Sequence, residues 1–396
     1  MLRELSDRRF LTHLVLFCSF NILLYLFIAT QYHRIPFNRL AYSLGYHHFI
    51  PDPRASGGKF SLLSAMAQSD SQWYLKIASQ GYFYSPQPQT IRDKSVMQNL
   101  TFAYFPLFPL LLKLMDFFLS HIELSAFILA NFLLIITFSS LYLVVSRLYS
   151  RSLAAKTAWL VFLFPFSVYF RSYYADCLQL LLIIWFLYFL IRKKYLPSAV
   201  LLGLLNITKG ITLPLNFLLF IPLTVQLLRH LLRPVKVFSY FLIAAFPLGL
   251  WTLYNYFQTG SPLFFLTVQS SWFHFHPQLP PIAYNLLVIF SLPRLPFHSD
   301  HYSQIDALTA VISLFLIIKS RKFLSPPLWW TGLTIWVVPF ITSDLMSFSR
   351  YQAVSFPIFL YLSSRLKAFP YFVLLSFLAV VFFITSLFFV NWHWVG

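Results

Sequence analysis

The chain has 396 residues, 59% of them apolar and 20% aromatic, and only 10% carry charge, against roughly 25% in a soluble globular domain. That balance excludes a water-soluble enzyme and leaves no polar stretch long enough for a separate soluble domain, so one integral membrane domain over 1–396 is expected. The formal charge of +18 fits orientation in a membrane and contact with lipid headgroups rather than nucleic acid, which is excluded as a partner. Cys18 and Cys177 lie in or beside apolar runs, so neither a disulfide framework nor a thiolate metal site is indicated.

Taken in chain order, the first apolar run, near 11–30, follows a basic start and lacks a small-residue cleavage site, which predicts an uncleaved first span. A long loop, about 31–122, comes next. It carries Arg34, Arg39, Arg54, Lys59, Lys76, Arg92, Lys94 and Lys113 against Asp52, Asp70, Asp93 and Asp116, a balance that suits an anion at the membrane face or anionic headgroups in general. Within it, "SDSQWYLKIASQGY" sets Asp70 ahead of Trp73, Tyr74 and Tyr82. Rings beside a carboxylate suit a sugar, whose apolar face stacks while its hydroxyls bond the acid; they equally suit an interfacial aromatic belt. Asn99-Leu100-Thr101 has the form of a glycosylation sequon, a triplet that also arises by chance. The run 102–119 contains Lys113, Asp116 and two prolines, and a charge at the bilayer centre costs about 2.5–3.5 kcal/mol, so an interfacial or re-entrant helix is expected there.

Further spans are expected near 124–146, 154–170, 177–191, 197–212, 213–228, 237–257, 304–318, 325–342, 352–364 and 369–391, about 11 in all with the first. Every second connection is basic: Arg147, Arg151 and Lys156; Arg192 to Lys194; Arg229, Arg233 and Lys236; Lys319 to Lys322; Arg365 and Lys367. The positive-inside rule makes these cytoplasmic, and nine of the 11 carboxylates then fall on the outer side or at its boundary. The segment 197–228 must cross twice within a short length, which implies short or broken helices around Lys209, with irregular backbone satisfied by protein or a watery cavity.

Candidate chemistry therefore lies outside. Arg171, Lys209 and Arg350 in the outer turns are placed to converge on a phosphate, which Arg grips as a fork and Lys as a point charge. Asp176 opens a span, where a carboxylate caps the helix as readily as it serves a site. Arg350 also opens a span, where the helix dipole disfavours a cation and calls for a nearby anion. His274 and His276 in "WFHFHP" have no evident third partner, so no metal site is assigned.

These segments, in this order, resemble the PIG-V-like mannosyltransferases, the polytopic family that includes the enzyme adding the second mannose of the GPI anchor, with its bacterial relatives. The family's Asp, aromatic pair, Ile-Ala and Gly-Tyr are similar to Asp70, Trp73, Tyr74, Ile77, Ala78, Gly81 and Tyr82, with Ser69 replacing the usual Trp. Its Phe-Pro-rich element resembles "YFPLFP" (104–109), and its Tyr-Thr-Glu-Ser resembles Tyr174 to Cys177 with Asp176 for Glu. A Thr-Arg pair is similar to Thr208-Lys209, the Gly-Asp-Pro-Leu to Gln-x-x-Trp stretch to Gly260 through Gln269 and Trp272, and an Arg-Tyr to Phe-Pro element to Arg350, Tyr351, Phe356 and Pro357.

The resemblance implies an all-α, GT-C type membrane fold with an extracytoplasmic site, a polyprenyl-phosphate sugar as donor, a glycan or glycolipid acceptor, and inverting transfer of a hexose, mannose in the family. It assigns Asp70 as the base and Lys209 and Arg350 to the leaving phosphate, with Trp73, Tyr74, Tyr82, Asp176, Gln269, Trp272 and Tyr351 around sugar or acceptor. A phosphate leaves without protonation, so a single carboxylate suffices and no cofactor or metal is called for. The chain is short for the eukaryotic enzyme, which points to a bacterial cell membrane rather than the endoplasmic reticulum. Two other classes remain: a transporter or flippase of lipid-linked sugars, which would carry charges inside its spans and repeat symmetry, and a noncatalytic assembly subunit, in which Asp70 would be replaceable.

Overall fold

A computed structural model describes residues 7–44, 48–84, 99–269, 280–292 and 304–396, and every regular element among them is helical. Trp272, His274 and His276 lie outside the described residues. Asp7 caps α1 (Arg8–Gln31) by accepting from the Arg9 N–H at 3.1 Å. Among its described residues the long loop then carries the short helices α2 (Arg39–Leu44), α3 (Leu62–Met66) and α4 (Asp70–Gln80), and later α5 (Leu107–Leu119).

α6 (Ile122–Leu148) is the central post: 67% of its apolar window is buried, against 17–28% for the other four helical stretches of spanning length. Around it pack α5, α7 (Arg151–Leu163) and α8 (Asp176–Ile191), with α9 (Tyr195–Asn206) beside α8. The chain continues through α10 (Asn216–Leu228), α11 (Pro234–Thr259), α12 (Phe264–Gln269), α13 (Pro281–Phe290), α14 (Gln304–Ser320) and α15 (Pro326–Thr342). It closes with the short α16 (Phe348–Ala353), then α17 (Phe356–Arg365) and α18 (Ala368–Val390).

Five stretches are long and apolar enough to cross a membrane: Arg8–Arg34, Ile122–Leu148, Gly210–Leu228, Pro234–Thr259 and Ala368–Val390. Their outward faces are greasy. On α11, Phe238, Leu242, Phe246, Leu250, Leu253 and Phe257 are exposed at helical spacing, and Phe369, Phe372, Val373, Phe377 and Val380 do the same on α18. Apolar faces of this extent suit lipid and would aggregate in water.

The eleven expected spans therefore divide. The other six segments form α7, α8, α9, α14, α15 and α17, helices of 10 to 17 residues. At 1.5 Å per residue such helices reach only about 15–26 Å, short of the roughly 30 Å hydrocarbon core. Proline explains one shortfall: α7 stops at Leu163 because Phe164 precedes Pro165 and is pushed into an extended conformation, so 154–170 becomes a helix followed by the 3-10 turn Pro165–Phe170. The 102–119 run is the 13-residue α5, whose Leu110, Leu114, Phe117 and Phe118 face outward. Within the sequon form, Thr101 is fully buried and Asn99 nearly so.

The break expected around Lys209 is present. α9 ends at Asn206, the chain turns through Lys209, and a 3-10 segment, Gly210–Leu215, leads into α10. The Asn206 and Asn216 side-chain amides exchange hydrogen bonds at 3.1 and 2.7 Å across the gap, and Asn206 also donates to the Ala244 carbonyl at 3.0 Å. Asn216 also donates to the Leu213 carbonyl at 2.7 Å, so the amide pair ties the broken segment to itself and to α11.

The two ends of the bundle differ in charge. Arg147 and Arg192 both lie over the Tyr188 ring, at 5.7 and 5.8 Å, and Lys156 donates to the Leu366 carbonyl at 3.0 Å, so three of the basic connections gather at one end. Asp176 begins α8 at the opposite end, about 24 Å away by the rise of a 16-residue helix.

Where α9 meets α11, a side chain on Gly203 would stand 3.0 Å from the Ile243 carbonyl and 3.1 Å from Pro247, so glycine sets how closely these helices approach. Gly203→Leu is expected to cost about 1–3 kcal/mol by overpacking. In detergent this reads as a clear drop in the thermal midpoint, smaller in Gly203→Ala; an unchanged midpoint for Gly203→Leu contradicts the close packing.

Candidate functional site

Four charged side chains from widely separated segments meet at the ends of α4, α8, α9 and α16. Each stands where a helix starts or breaks, so its backbone is already committed to a bend and its side chain points into the space between helix ends. Asp70 is the first residue of α4, entered through Ser69 at φ 49°, ψ −117°. A non-glycine residue rarely adopts that backbone, and holding one there costs on the order of 1–3 kcal/mol. The Asp70 N–H donates to the Tyr174 hydroxyl at 3.2 Å, which itself donates to the Gln68 carbonyl at 3.1 Å, so the bend is held from outside.

Both carboxylate oxygens of Asp70 are engaged. The Tyr104 hydroxyl donates to Oδ1 at 3.1 Å, and Arg350 Nη1 donates to Oδ2 at 2.7 Å. Asp176, in the first turn of α8, takes Arg350 Nη2 at 2.9 Å on Oδ2, with Arg350 Nε at 3.3 Å and Lys209 Nζ at 2.8 Å on Oδ1. Arg350 therefore bridges the two acids, gripping Asp176 with two nitrogens and Asp70 with one. Its guanidinium lies 4.4 Å from the ring centre of Tyr174 and 4.7 Å from that of Tyr169, which shields it from water. The Tyr169 hydroxyl in turn donates to the Gly396 carbonyl at 3.0 Å.

Access across the cluster is graded. Side-chain exposure is 27% at Asp70, 13% at Lys209, 4% at Arg350 and 1% at Asp176. Asp70 is the member a ligand meets first, and Asp176 acts on a ligand only through the two cations.

The supporting groups fix the geometry. α16 is tied down by Asp306, which accepts from the Ser349 N–H at 2.8 Å, while the Ser349 hydroxyl donates to Thr309 at 3.0 Å. Tyr104 is backed by Trp73, whose ring lies parallel at 6.0 Å, by Tyr74 edge-on at 5.1 Å, and by the Tyr82 hydroxyl donating to its carbonyl at 2.9 Å. Burial, and then the Asp70 charge, raise the Tyr104 hydroxyl well above the usual tyrosine range, so it stays a donor to the carboxylate. Lys209 sits in the turn between helices. Burial and then the neighbouring Arg350 lower it, Asp176 opposes them, and the net value is about 8.

Of the residues expected from the sequence, Asp70, Asp176, Lys209 and Arg350 come together, and Tyr351 adjoins them with its ring centre 5.7 Å from Lys209 Nζ. Gln269 ends α12 with its amide beside the Lys209–Gly210 turn, about 3.7 Å from where a Gly210 side chain would begin. Two expectations change. Trp73 and Tyr74 are buried against protein and offer no open face for a sugar, forming the wall behind Tyr104, while Tyr82 is half-buried and packs against Phe102 and Trp251. Arg171 does not join the phosphate-binding set. It is fully buried and donates to Asn21 Oδ1 at 2.7 Å and to the carbonyls of Ser167 and Phe162, with its guanidinium 4.6 Å from the Phe382 ring.

Tyr104 and Tyr169 are the partners that sequence reasoning missed. Tyr104 lies in the quoted "YFPLFP" segment, yet nothing in its spacing shows that its hydroxyl reaches a residue 34 positions earlier.

The two cations and two carboxylates make the cluster formally neutral. Chemically it can receive an anion on Arg350 and Lys209 and a proton on Asp70. Comparison with protein-family models, with curated proteins and with solved structures finds no match.

The charge on Lys209 is present below about 8 and lost above it. Affinity for a phosphodiester probe, whose own charge is constant over this range, is therefore expected to fall several-fold between pH 7 and pH 9. Equilibrium binding measures it, and Lys209→Gln should flatten the profile; a slope that survives in Lys209→Gln assigns the titration elsewhere.

Proposed function

We propose that this protein is an integral-membrane glycosyltransferase that moves a hexose, mannose by the resemblance, from a polyprenyl-phosphate donor to a hydroxyl-bearing glycan or glycolipid acceptor, with inversion, on the extracytoplasmic face. The observation that carries the reading is the meeting of Asp70, Asp176, Lys209 and Arg350, four residues up to 280 positions apart, in one connected cluster with a single accessible carboxylate.

The chemistry needs two things at once, a group to take a proton and a cationic place for a phosphate. As the acceptor oxygen attacks the anomeric carbon, its proton passes to Asp70. The bond from that carbon to the phosphate oxygen breaks, and its electron pair stays on the phosphate. Arg350 and Lys209 offset the charge that develops there, and Asp176 holds both cations in place. Gln269 and Tyr351, beside the Lys209 turn, are the neighbours left to orient the sugar or the acceptor.

The outer face is supported by the polarity of the bundle: Asp176 opens α8 at the end opposite Arg192, Lys193 and Lys194, and basic connections lie on the cytoplasmic side.

The test is transfer of radiolabelled sugar from a panel of polyprenyl-phosphate sugars by purified protein in liposomes, with suitable acceptors supplied. Asp70→Asn at matched expression and folding is expected to lose about 10²–10⁴-fold in rate, the usual share of a general base. Transfer by Asp70→Asn at the wild-type rate removes Asp70 as the base. No transfer by either protein from any donor sinks the glycosyltransferase reading.

A further inference from the structure

We propose that Asp70 occupies, in the resting structure, the place that a substrate phosphate takes on Arg350, so that the arriving anion and the base exchange partners. The inference deepens the phosphate-binding role proposed above for Arg350 and rests on it.

The asymmetry of Arg350 motivates the idea. Nε and Nη2 are committed to Asp176, which is nearly inaccessible, while Nη1 alone reaches Asp70, the most exposed member of the cluster. A two-point grip on a buried carboxylate persists, and a one-point contact with an accessible one is replaceable.

Charge points the same way. With two cations against two carboxylates the cluster is balanced, and a further anion beside it meets an unfavourable carboxylate unless Asp70 moves off. Once Asp70 swings away, Arg350, Lys209 and Asp176 together leave one positive charge for the phosphate, and Oδ2 of Asp70 is free to accept a proton. Tyr104 retains the other oxygen, so the displaced carboxylate stays beside the site. The strained Ser69 immediately before it supplies backbone that relaxes with such a movement. Binding of the anion and exposure of the base become one event, which keeps Asp70 masked until a donor is present.

Equilibrium binding of farnesyl phosphate to the full-length protein in detergent micelles tests the exchange. If Asp70 holds Arg350 about nine-tenths of the time, removing it raises apparent affinity roughly tenfold. Asp70→Asn is therefore expected to bind about tenfold tighter, Arg350→Gln much more weakly, and Asp70→Asn placed in the Arg350→Gln background to add almost nothing. Farnesol, which lacks the anion, should bind wild type and Asp70→Asn alike. Inorganic phosphate competing with the probe in this same pattern assigns the effect to the anion itself, whereas the pattern with farnesyl phosphate alone assigns it to the lipid-linked form.

Unchanged or weaker binding by Asp70→Asn overturns the exchange, as does equal tightening in both backgrounds, which reports only the loss of a distant negative charge. Wild-type binding by Arg350→Gln overturns it too, and takes with it the assignment of the phosphate to Arg350. Loss of transfer in Asp70→Asn without tighter binding leaves the base reading standing and removes only the exchange. Asp70→Ser removes the same charge and gives the same readings should the amide variant fail to fold.

Discussion

A guanidinium that must satisfy two carboxylates at once constrains the rest of this structure. Arg350 is nearly inaccessible to water, and a charge so placed is tolerated only when its hydrogen bonds are met by fixed partners. Asp176 meets two of them from the start of α8, and Asp70 meets a third from the start of α4. Those two helix ends, together with α16, are therefore locked relative to one another. Around them the fold supplies rigid backing: Asp306 under α16, the Tyr104 wall beside Asp70, and the rings of Tyr169 and Tyr174 against the guanidinium.

The helices serve this arrangement by ending in the right places. α9 breaks so that Lys209 can turn back toward Asp176, and paired asparagines bridge the break, Asn216 also donating to the Leu213 carbonyl. α8 is short of spanning length, and it delivers Asp176 at one end and a run of basic residues at the other. The long, greasy stretches α1, Gly210–Leu228, α11 and α18 expose much of their apolar surface, while the charged cluster sits among helix ends and is largely screened from water. An environment that excludes water strengthens each of those charge contacts and raises the cost of leaving any one unmade.

Much of this was legible in the sequence, for identifiable reasons. Basic residues at every second connection are a long-range pattern that survives without tertiary knowledge, and they placed Asp176, Lys209 and Arg350 on one side. The break near Lys209 was legible because two basic flanks a short distance apart permit nothing else. Span lengths were harder. Apolar character continues through Phe164 to Phe170, but a single proline ends the helix inside that run. Side-chain direction was not legible at all. Arg171 and Arg350 look alike in a linear reading, yet one braces α1 through Asn21 and the other holds the two acids. Trp73 and Tyr74 likewise have the composition of a binding surface, and only packing shows that their faces are already taken.

The sequence separations within the cluster also set an order of assembly during synthesis. Asp176 and Lys209 lie 33 residues apart and can pair soon after both have left the ribosome, whereas Arg350 follows Asp70 by 280 residues. At 5–20 residues per second, Asp70 waits about 14–56 seconds for its partner. During that interval Asp70 has the Tyr104 hydroxyl to bond but not Arg350, and the Asp176–Lys209 pair joins partway through. The last few helices therefore do more than complete the wall: their arrival closes a charge that the nascent protein has carried open for most of its making.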